Sequence, residues 1–325
     1  MSDSRGHARR LPLLLLAASL LCATAHARQS DAADARERHG FHLTITDSKG
    51  KPVSGVTRAE VAAFEGSEPC DVVSFGAGDV PTSVLFLIDA SSSAFGMNMG
   101  KRRWRGMASL ARSIDEFMEG SNSSNEYFVV AFNKSPQVIL DGTTDREAVM
   151  AALERLAASD MEGGTALHDA LYVSLNKLAL RPTRRRVLLL FSDGLDGSSK
   201  YKLTDVMRAL KESDVIVYPV GVFTNDEPYD SYISRSLFGE LASASGGAVS
   251  YPGRGEELKS ALMKIAAELR AQYAITVATP SRAKGDGWHE VRFELAGARD
   301  ERGREFRRRV RARRGFYEAG APRKR

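Results

Sequence analysis

Cysteine is nearly missing from this chain: its 325 residues include two, Cys22 and Cys70. Cys22 lies in a segment expected to be removed, so Cys70 stands alone and an intrachain disulfide is excluded. The core must hold by packing. After the first 27 residues no apolar run is long enough to cross a membrane. A Gly-x-Ser-x-Gly elbow, a Gly-x-Gly-x-x-Gly fingerprint and a phosphate loop are all missing. The stretch Gly96-Met-Asn-Met-Gly100-Lys101 approaches a phosphate loop but lacks its spacing and hydroxyl. Histidine is scarce too, with His39, His42, His168 and His289 remaining beyond residue 27. These absences point away from catalysis.

What is present reads as an ordinary globular composition, 43% hydrophobic, 27% charged and 8% aromatic. It suits one sizeable domain with a smaller companion. The N-terminus has Arg5, Arg9 and Arg10, then apolar Leu11 to Leu21, then Ala25-His26-Ala27. This is the pattern of a cleaved secretory signal over residues 1–27, with the mature chain starting near Arg28. Leu20 and Leu21 argue against a lipoprotein anchor on Cys22, and Pro12 argues against a twin-arginine signal. The expected protein is exported, periplasmic or extracellular, with no transmembrane anchor after cleavage.

The net charge of +5 is unevenly spread. Arg299 to Arg325 holds 12 basic and 4 acidic residues. Such a segment can contact an anionic surface. The favoured alternative is that arginines line the solvent face of a strand while Phe306, Val310 and Ala312 point inward. For an exported protein nucleic acid is not the expected partner.

Residues 28–39 are polar and read as a linker. Residues 40–79 alternate apolar and polar, as in Phe41-His-Leu-Thr-Ile-Thr46, and form a small β module. From Val84 strands alternate with helices through residue 271, which predicts a mostly parallel, doubly wound sheet covered on both faces. Residues 272–319 return to β, with period two in Trp288–Leu295. Residues 320–325 are a basic tail. Neither β-rich end can build a core alone, so the two are expected to pair into one small sheet.

Three motifs stand out. The apolar strand Val84-Leu-Phe-Leu-Ile88 ends in Asp89-Ala-Ser91-Ser-Ser93. Gly163-Gly164-Thr165 opens a helix. Leu188-Leu-Leu-Phe191-Ser-Asp193-Gly194 ends another buried strand. In a doubly wound sheet ligands bind beyond the carboxyl ends of the strands. There the i, i+2, i+4 spacing aims Asp89, Ser91 and Ser93 one way, Thr165 brings a hydroxyl at a helix start, and Asp193 a second carboxylate. Two carboxylates and neutral hydroxyls suit a small hard cation and leave it able to take one more oxyanion.

These residues resemble the metal-ion-dependent adhesion site of von Willebrand factor type A domains, and the order of elements over residues 80–271 is similar to that fold. The flanks, Phe41…Gly50-Lys-Pro-Val and Leu269-Arg-Ala-Gln-Tyr273…Ala312-Arg-Arg-Gly-Phe-Tyr317, resemble the bacterial exported branch of the family. The resemblance implies a Rossmann-like α/β domain, bound Mg²⁺ (or Mn²⁺ or Ca²⁺), and a protein partner that offers an acidic residue. It implies Asp89, Ser91, Ser93 and Thr165 as direct or near-direct ligands, with Asp193 acting through water. The glycine that usually follows the first motif is displaced to Gly96, which lengthens the loop before the first helix.

Two other readings compete. In one, a metal-stabilised scaffold binds no ligand. In the other, His168, three residues past Thr165, acts as a base on metal-bound water in a hydrolase. An ordinary polar residue on a first helical turn is the better account of His168. His39-x-x-His42 lacks further ligands. The acidic loop Thr224–Asp230 follows a strand and is expected on the metal side, where it would favour basic groups on a partner.

Overall fold

The computed structural model describes residues 37–91, 100–159, 163–222, 228–252, 256–279, 287–299 and 305–317. The expected signal segment, Ser93, most of the loop 224–230 and the basic tail lie outside them. Two sheets organise the chain.

The central sheet holds β4 (Thr82–Asp89), β5 (Glu126–Phe132), β6 (Pro136–Thr143), β7 (Arg185–Ser192) and β8 (Ile216–Gly221) in the order β6-β5-β4-β7-β8. All neighbours are parallel except β6, which turns back against β5. β4 is fully buried along its length, as its unbroken apolar run requires of a strand covered on both sides. Val84, Phe86 and Ile88 face one helical layer: α1 (Gly100–Glu119), α2 (Arg146–Ala158) and α6 (Glu256–Ala271). Leu85 and Leu87 face the other: α3 (Leu167–Ala179), α4 (Leu203–Ser213) and α5 (Pro228–Ser245). Asp145 caps α2, its carboxylate accepting from the Glu147 amide at 2.9 Å. α5 begins at Pro228, with the proline at its first position. Beyond β8 the sheet edge carries one further parallel bridge, Ser250 to Val220.

The second sheet is antiparallel and seven-stranded. It joins β1 (Arg38–Asp47), β2 (Val61–Glu65) and β3 (Glu68–Ala77) to β9 (Tyr273–Ala278), β10 (Trp288–Leu295), β13 (Arg308–Arg311) and β14 (Gly315–Tyr317), in the order β13-β1-β9-β3-β2-β10-β14. A small separate pair, β11 (Ala298–Arg299) with β12 (Glu305–Phe306), precedes β13. β9 lies between β1 and β3, so strands from the two ends of the chain interleave. Phe41, Leu43, Ile45, Tyr273, Ile275, Val277, Val291, Phe293 and Phe316 make its core. Free Cys70 is buried beside them.

The polar face of β1 meets the α/β layer. The His42 ring and the Arg184 carbonyl lie 3.1 Å apart. Glu268 of α6 accepts from Tyr218 at 2.6 Å and Thr44 at 3.3 Å, and pairs with Arg311 at 2.7 Å. The C-terminal arginines therefore divide. Arg308 pairs with Glu60, Arg311 with Glu268 and Arg313 with Asp214, while Arg307, Arg309 and Arg314 are exposed. This corrects the reading of these arginines as a uniformly solvent-facing row: three of them are built into the fold. Val310 and Ala312 are half-buried against the β core.

Candidate metal centre

Asp89 ends β4 and Asp193 directly follows the neighbouring parallel strand β7. The central sheet changes winding direction there, because the chain leaves β4 toward β5 on one side and reaches β7 on the other. That crevice is the expected ligand position of a doubly wound sheet. Asp89 is fully buried, Ser91 is 1% exposed and Asp193 is 7% exposed. Asp89 accepts from the Ser91 amide at 3.0 Å and from the Ser192 hydroxyl at 2.6 Å. Asp193 accepts from the Leu195 amide at 3.0 Å. Burial, and then the neighbouring Asp193 carboxylate, push Asp89 up to about 6 against those hydrogen bonds. Among the described residues no lysine or arginine forms an ion pair with either carboxylate.

Thr165 is half-buried and precedes α3 rather than capping it. The N-cap position is Ala166, which has no side-chain oxygen. The amide of His168, in the first turn of α3, donates to a carboxylate from another segment: Asp196, at 3.2 Å. Thr165 is fixed through its backbone. Its carbonyl accepts from Gly197 at 2.9 Å and Ser198 at 3.0 Å, in the loop that follows Asp193. The next amide, of Ala166, reaches the Asn133 carbonyl at the end of β5 at 2.7 Å. Two glycines make this packing possible. A Cβ on Gly164 would collide with the Ser198 hydroxyl, and one on Gly194, at φ +81°, would lie 2.6 Å from Ser234 Cβ.

The structure thus brings Asp89, Ser91 and Asp193 together and ties the Thr165 backbone to the loop that follows Asp193, while Ser93 lies outside the described residues. Among the described residues no three His, Cys, Asp or Glu side chains converge. An ion here would rest on two carboxylates and hydroxyls, a donor set that suits a hard divalent cation rather than a thiolate- or imidazole-loving one. A buried pair of like charges without a cationic partner is unfavourable, and such an ion would relieve it. His168 turns to Asp196, its Nδ1 3.5 Å from Oδ2. His39 and His42 sit three apart on β1 and so face opposite ways: His39 stacks on Phe316 and His42 meets Arg184. They share no ligand.

Sequence reasoning missed Ser192, Asp169, Asp196 and Ser199. Ser192 was visible as the residue before Asp193. The other three carry no signal by spacing, because the contacts that join them to α3 or to the loop after Asp193 span about 30 positions.

A doubly wound α/β domain with paired strand-end carboxylates defines the class. Residues 84–195 match the family model of the von Willebrand factor type A domain, and the chain contains such a domain. Among curated proteins, an uncharacterized protein of Borreliella burgdorferi is 23% identical over 145 residues, 44% of this chain and 41% of that relative. The match therefore spans less than half of that relative's length. Similar solved structures include the D319A mutant of the PilB minor pilin from Streptococcus sanguinis (15% identity, TM-score 0.49, 60% of this chain and 62% of that one). Another is the vWF domain of the type V pili tip protein Mfa5 from Porphyromonas gingivalis (14%, 0.45, 57% and 94%). A third is proximal thread matrix protein 1 from the mussel byssus with a zinc-occupied MIDAS motif (16%, 0.48, 62% and 48%).

Proposed function

We propose that this chain is an exported, non-enzymatic protein-binding domain of the adhesion type, using a divalent ion to accept a carboxylate from a partner protein. The supporting observation is the buried Asp89–Asp193 pair at the mouth of the sheet, with which no lysine or arginine forms an ion pair among the described residues. Asp89, Ser91, Ser93 and Thr165 would hold Mg²⁺, with Mn²⁺ or Ca²⁺ as substitutes, and Asp193 would act through water. The bound ion supplies an electrophilic centre with an exchangeable water position. The protein's own groups do the rest: Ser192 orients Asp89, and the loop after Asp193 holds Thr165 in place. Export rests on the N-terminal pattern of Arg5, Arg9, Arg10 and the apolar run that follows. Among the described residues no helix is long and apolar enough to cross a membrane.

The test is thermal unfolding of residues 28–325 in EDTA and in millimolar Mg²⁺, with Asp89→Ala beside the wild type. An ion at about 100 times its dissociation constant adds about 2.7 kcal/mol to stability, a rise of a few degrees for a domain of this size. A rise seen in wild type and lost in Asp89→Ala supports the site. No rise in wild type removes the metal-based reading. Metal stabilisation with no Mg²⁺-dependent capture of carboxylate-bearing proteins would leave a scaffold instead.

A further inference from the structure

We infer that Asp169, which is not a candidate ligand, is the positioning residue that sets Thr165 in register with Asp193. This deepens the metal-site reading and rests on it.

Asp169 lies on the first turn of α3 and is 9% exposed. Its Oδ1 accepts two backbone amides from the far loop, Lys200 at 2.8 Å and Tyr201 at 2.8 Å. Its own amide donates to the Ser199 hydroxyl at 3.1 Å. That hydroxyl donates to Asp196 at 2.5 Å, and Asp196 accepts from the His168 amide at 3.2 Å. One turn further along α3, Tyr172 stacks on Tyr201 with centroids 3.9 Å apart. Residues i and i+3 share a helix face, so Asp169 and Tyr172 grip the same segment together.

The consequence lies at Thr165. The segment 196–201 starts immediately after the Asp193–Gly194 turn and also donates the Gly197 and Ser198 amides to the Thr165 carbonyl. Both ends of the candidate site therefore hang on one loop, and Asp169 is its main fastening to α3. The geometry has no other evident purpose. Asp169 forms no ion pair with a lysine or arginine among the described residues. α3 does not need its carboxylate as a cap, since Asp196 already serves the helix end. Without Asp169, the amides of Lys200 and Tyr201 lose their acceptor and the loop is free to move Thr165 relative to Asp193. Partners that orient ligands without touching the ion typically change metal affinity about 10- to 100-fold.

The roles separate by side-chain chemistry. Asn keeps an oxygen where Oδ1 sits, and Ala does not. Mg²⁺ affinity is measured by calorimetry on residues 28–325, at a temperature where far-UV circular dichroism shows each variant folded. Asp169→Ala is expected to weaken Mg²⁺ binding about 10- to 100-fold, Asp169→Asn to restore it to within about 3-fold of wild type, and Ser199→Ala to fall between. Wild-type binding left unchanged by Asp169→Ala overturns the inference alone. Equal losses in Asp169→Asn and Asp169→Ala overturn it too, because geometry is then not what matters. A wild type that binds no Mg²⁺ overturns the metal-site reading and this inference with it. If Asp169→Ala does not fold, Ser199→Ala and Asp169→Asn decide: an unchanged affinity in Ser199→Ala counts against the positioning role.

Discussion

The Ser192 hydroxyl donates to Asp89 Oδ2 at 2.6 Å across the junction of two parallel strands, and neither residue touches solvent. The Ser192 hydroxyl oxygen in turn accepts from the Gly194 amide at 2.9 Å. One buried hydroxyl therefore couples the carboxylate that ends β4 to the turn that carries Asp193.

Ser192→Ala removes that coupling and orphans both partners. A buried donor or acceptor left unmade costs about 1–3 kcal/mol, so the urea midpoint should fall with little change in slope. Mg²⁺ affinity should fall as well, because Asp89 loses its orientation. Unchanged stability together with unchanged metal affinity would show that the hydroxyl is incidental.

Arg185 sits at the opposite end of the sheet and is 2% exposed. Its guanidinium donates to Thr82 Oγ1 at 2.7 Å, to the Val80 carbonyl at 3.0 Å, to Gln272 Oε1 at 3.3 Å and to the Leu269 carbonyl in the last turn of α6. It thus ties α6 to β4 and to the link into β9. A cation there also complements the helix C-terminus. Arg185→Ala should destabilise by about 3–5 kcal/mol, from orphaned acceptors and the emptied volume. Arg185→Lys should recover little, since one ammonium cannot reproduce the planar fork. Denaturation curves of the two variants, compared with wild type, decide this.

The pH dependence of stability follows from β1. Burial, and secondarily the Arg313 cation, lower His39 to about 4; burial lowers His42 to about 4 against its bond to the Arg184 carbonyl. Both rings are held neutral in the fold, while the unfolded chain takes up protons below about 6.5. The stability they contribute is therefore present above pH 6.5 and lost as pH falls toward 4. For His42 alone the loss reaches up to about 3 kcal/mol. The double variant His39→Gln/His42→Gln should lose stability less steeply between pH 6.5 and 4 than wild type. Parallel acid limbs in the two proteins would contradict the assignment.

Interleaved strands make the seven-stranded sheet one cooperative unit. β9 pairs with both β1 and β3, and β10 pairs with β2. Deleting residues 287–325 should therefore unprotect the amides of β2 and of the β1 residues facing β13, not merely those near the cut. Hydrogen exchange measures this directly, and full protection of 38–65 in the truncated chain would refute it. The central sheet should keep its protected core, because β4 and β7 draw no hydrogen bonds from the second sheet.

Much of the architecture was legible in the chain. The apolar runs Val84–Ile88 and Leu188–Phe191 read as strands buried on both faces, and each leads into an Asp of the candidate site, Asp89 or Asp193. Period two in Phe41–Thr46 and Trp288–Leu295 marked the half-buried strands of the second sheet. Charge patterning misled at the C-terminus, because an arginine count cannot tell a solvent-facing side chain from one paired with Glu60, Glu268 or Asp214 far away in sequence. The partner at the start of α3 was not legible for the same reason: Asp196, which accepts from the His168 amide, is 28 positions away in the chain.

The sequence by itself determined most of the strands and helices, where the buried strands stop, and which carboxylates and hydroxyls stand at those stops. Those features depend on local spacing and on burial of continuous apolar runs. Tertiary structure alone decided that β9 enters between β1 and β3, that Ser192 bridges Asp89 to the Gly194 turn, and that Asp169 reaches the amides of Lys200 and Tyr201. Each of these joins residues about 30 or more positions apart. No period in a chain encodes such pairings; they follow from how the buried faces of separate elements pack together.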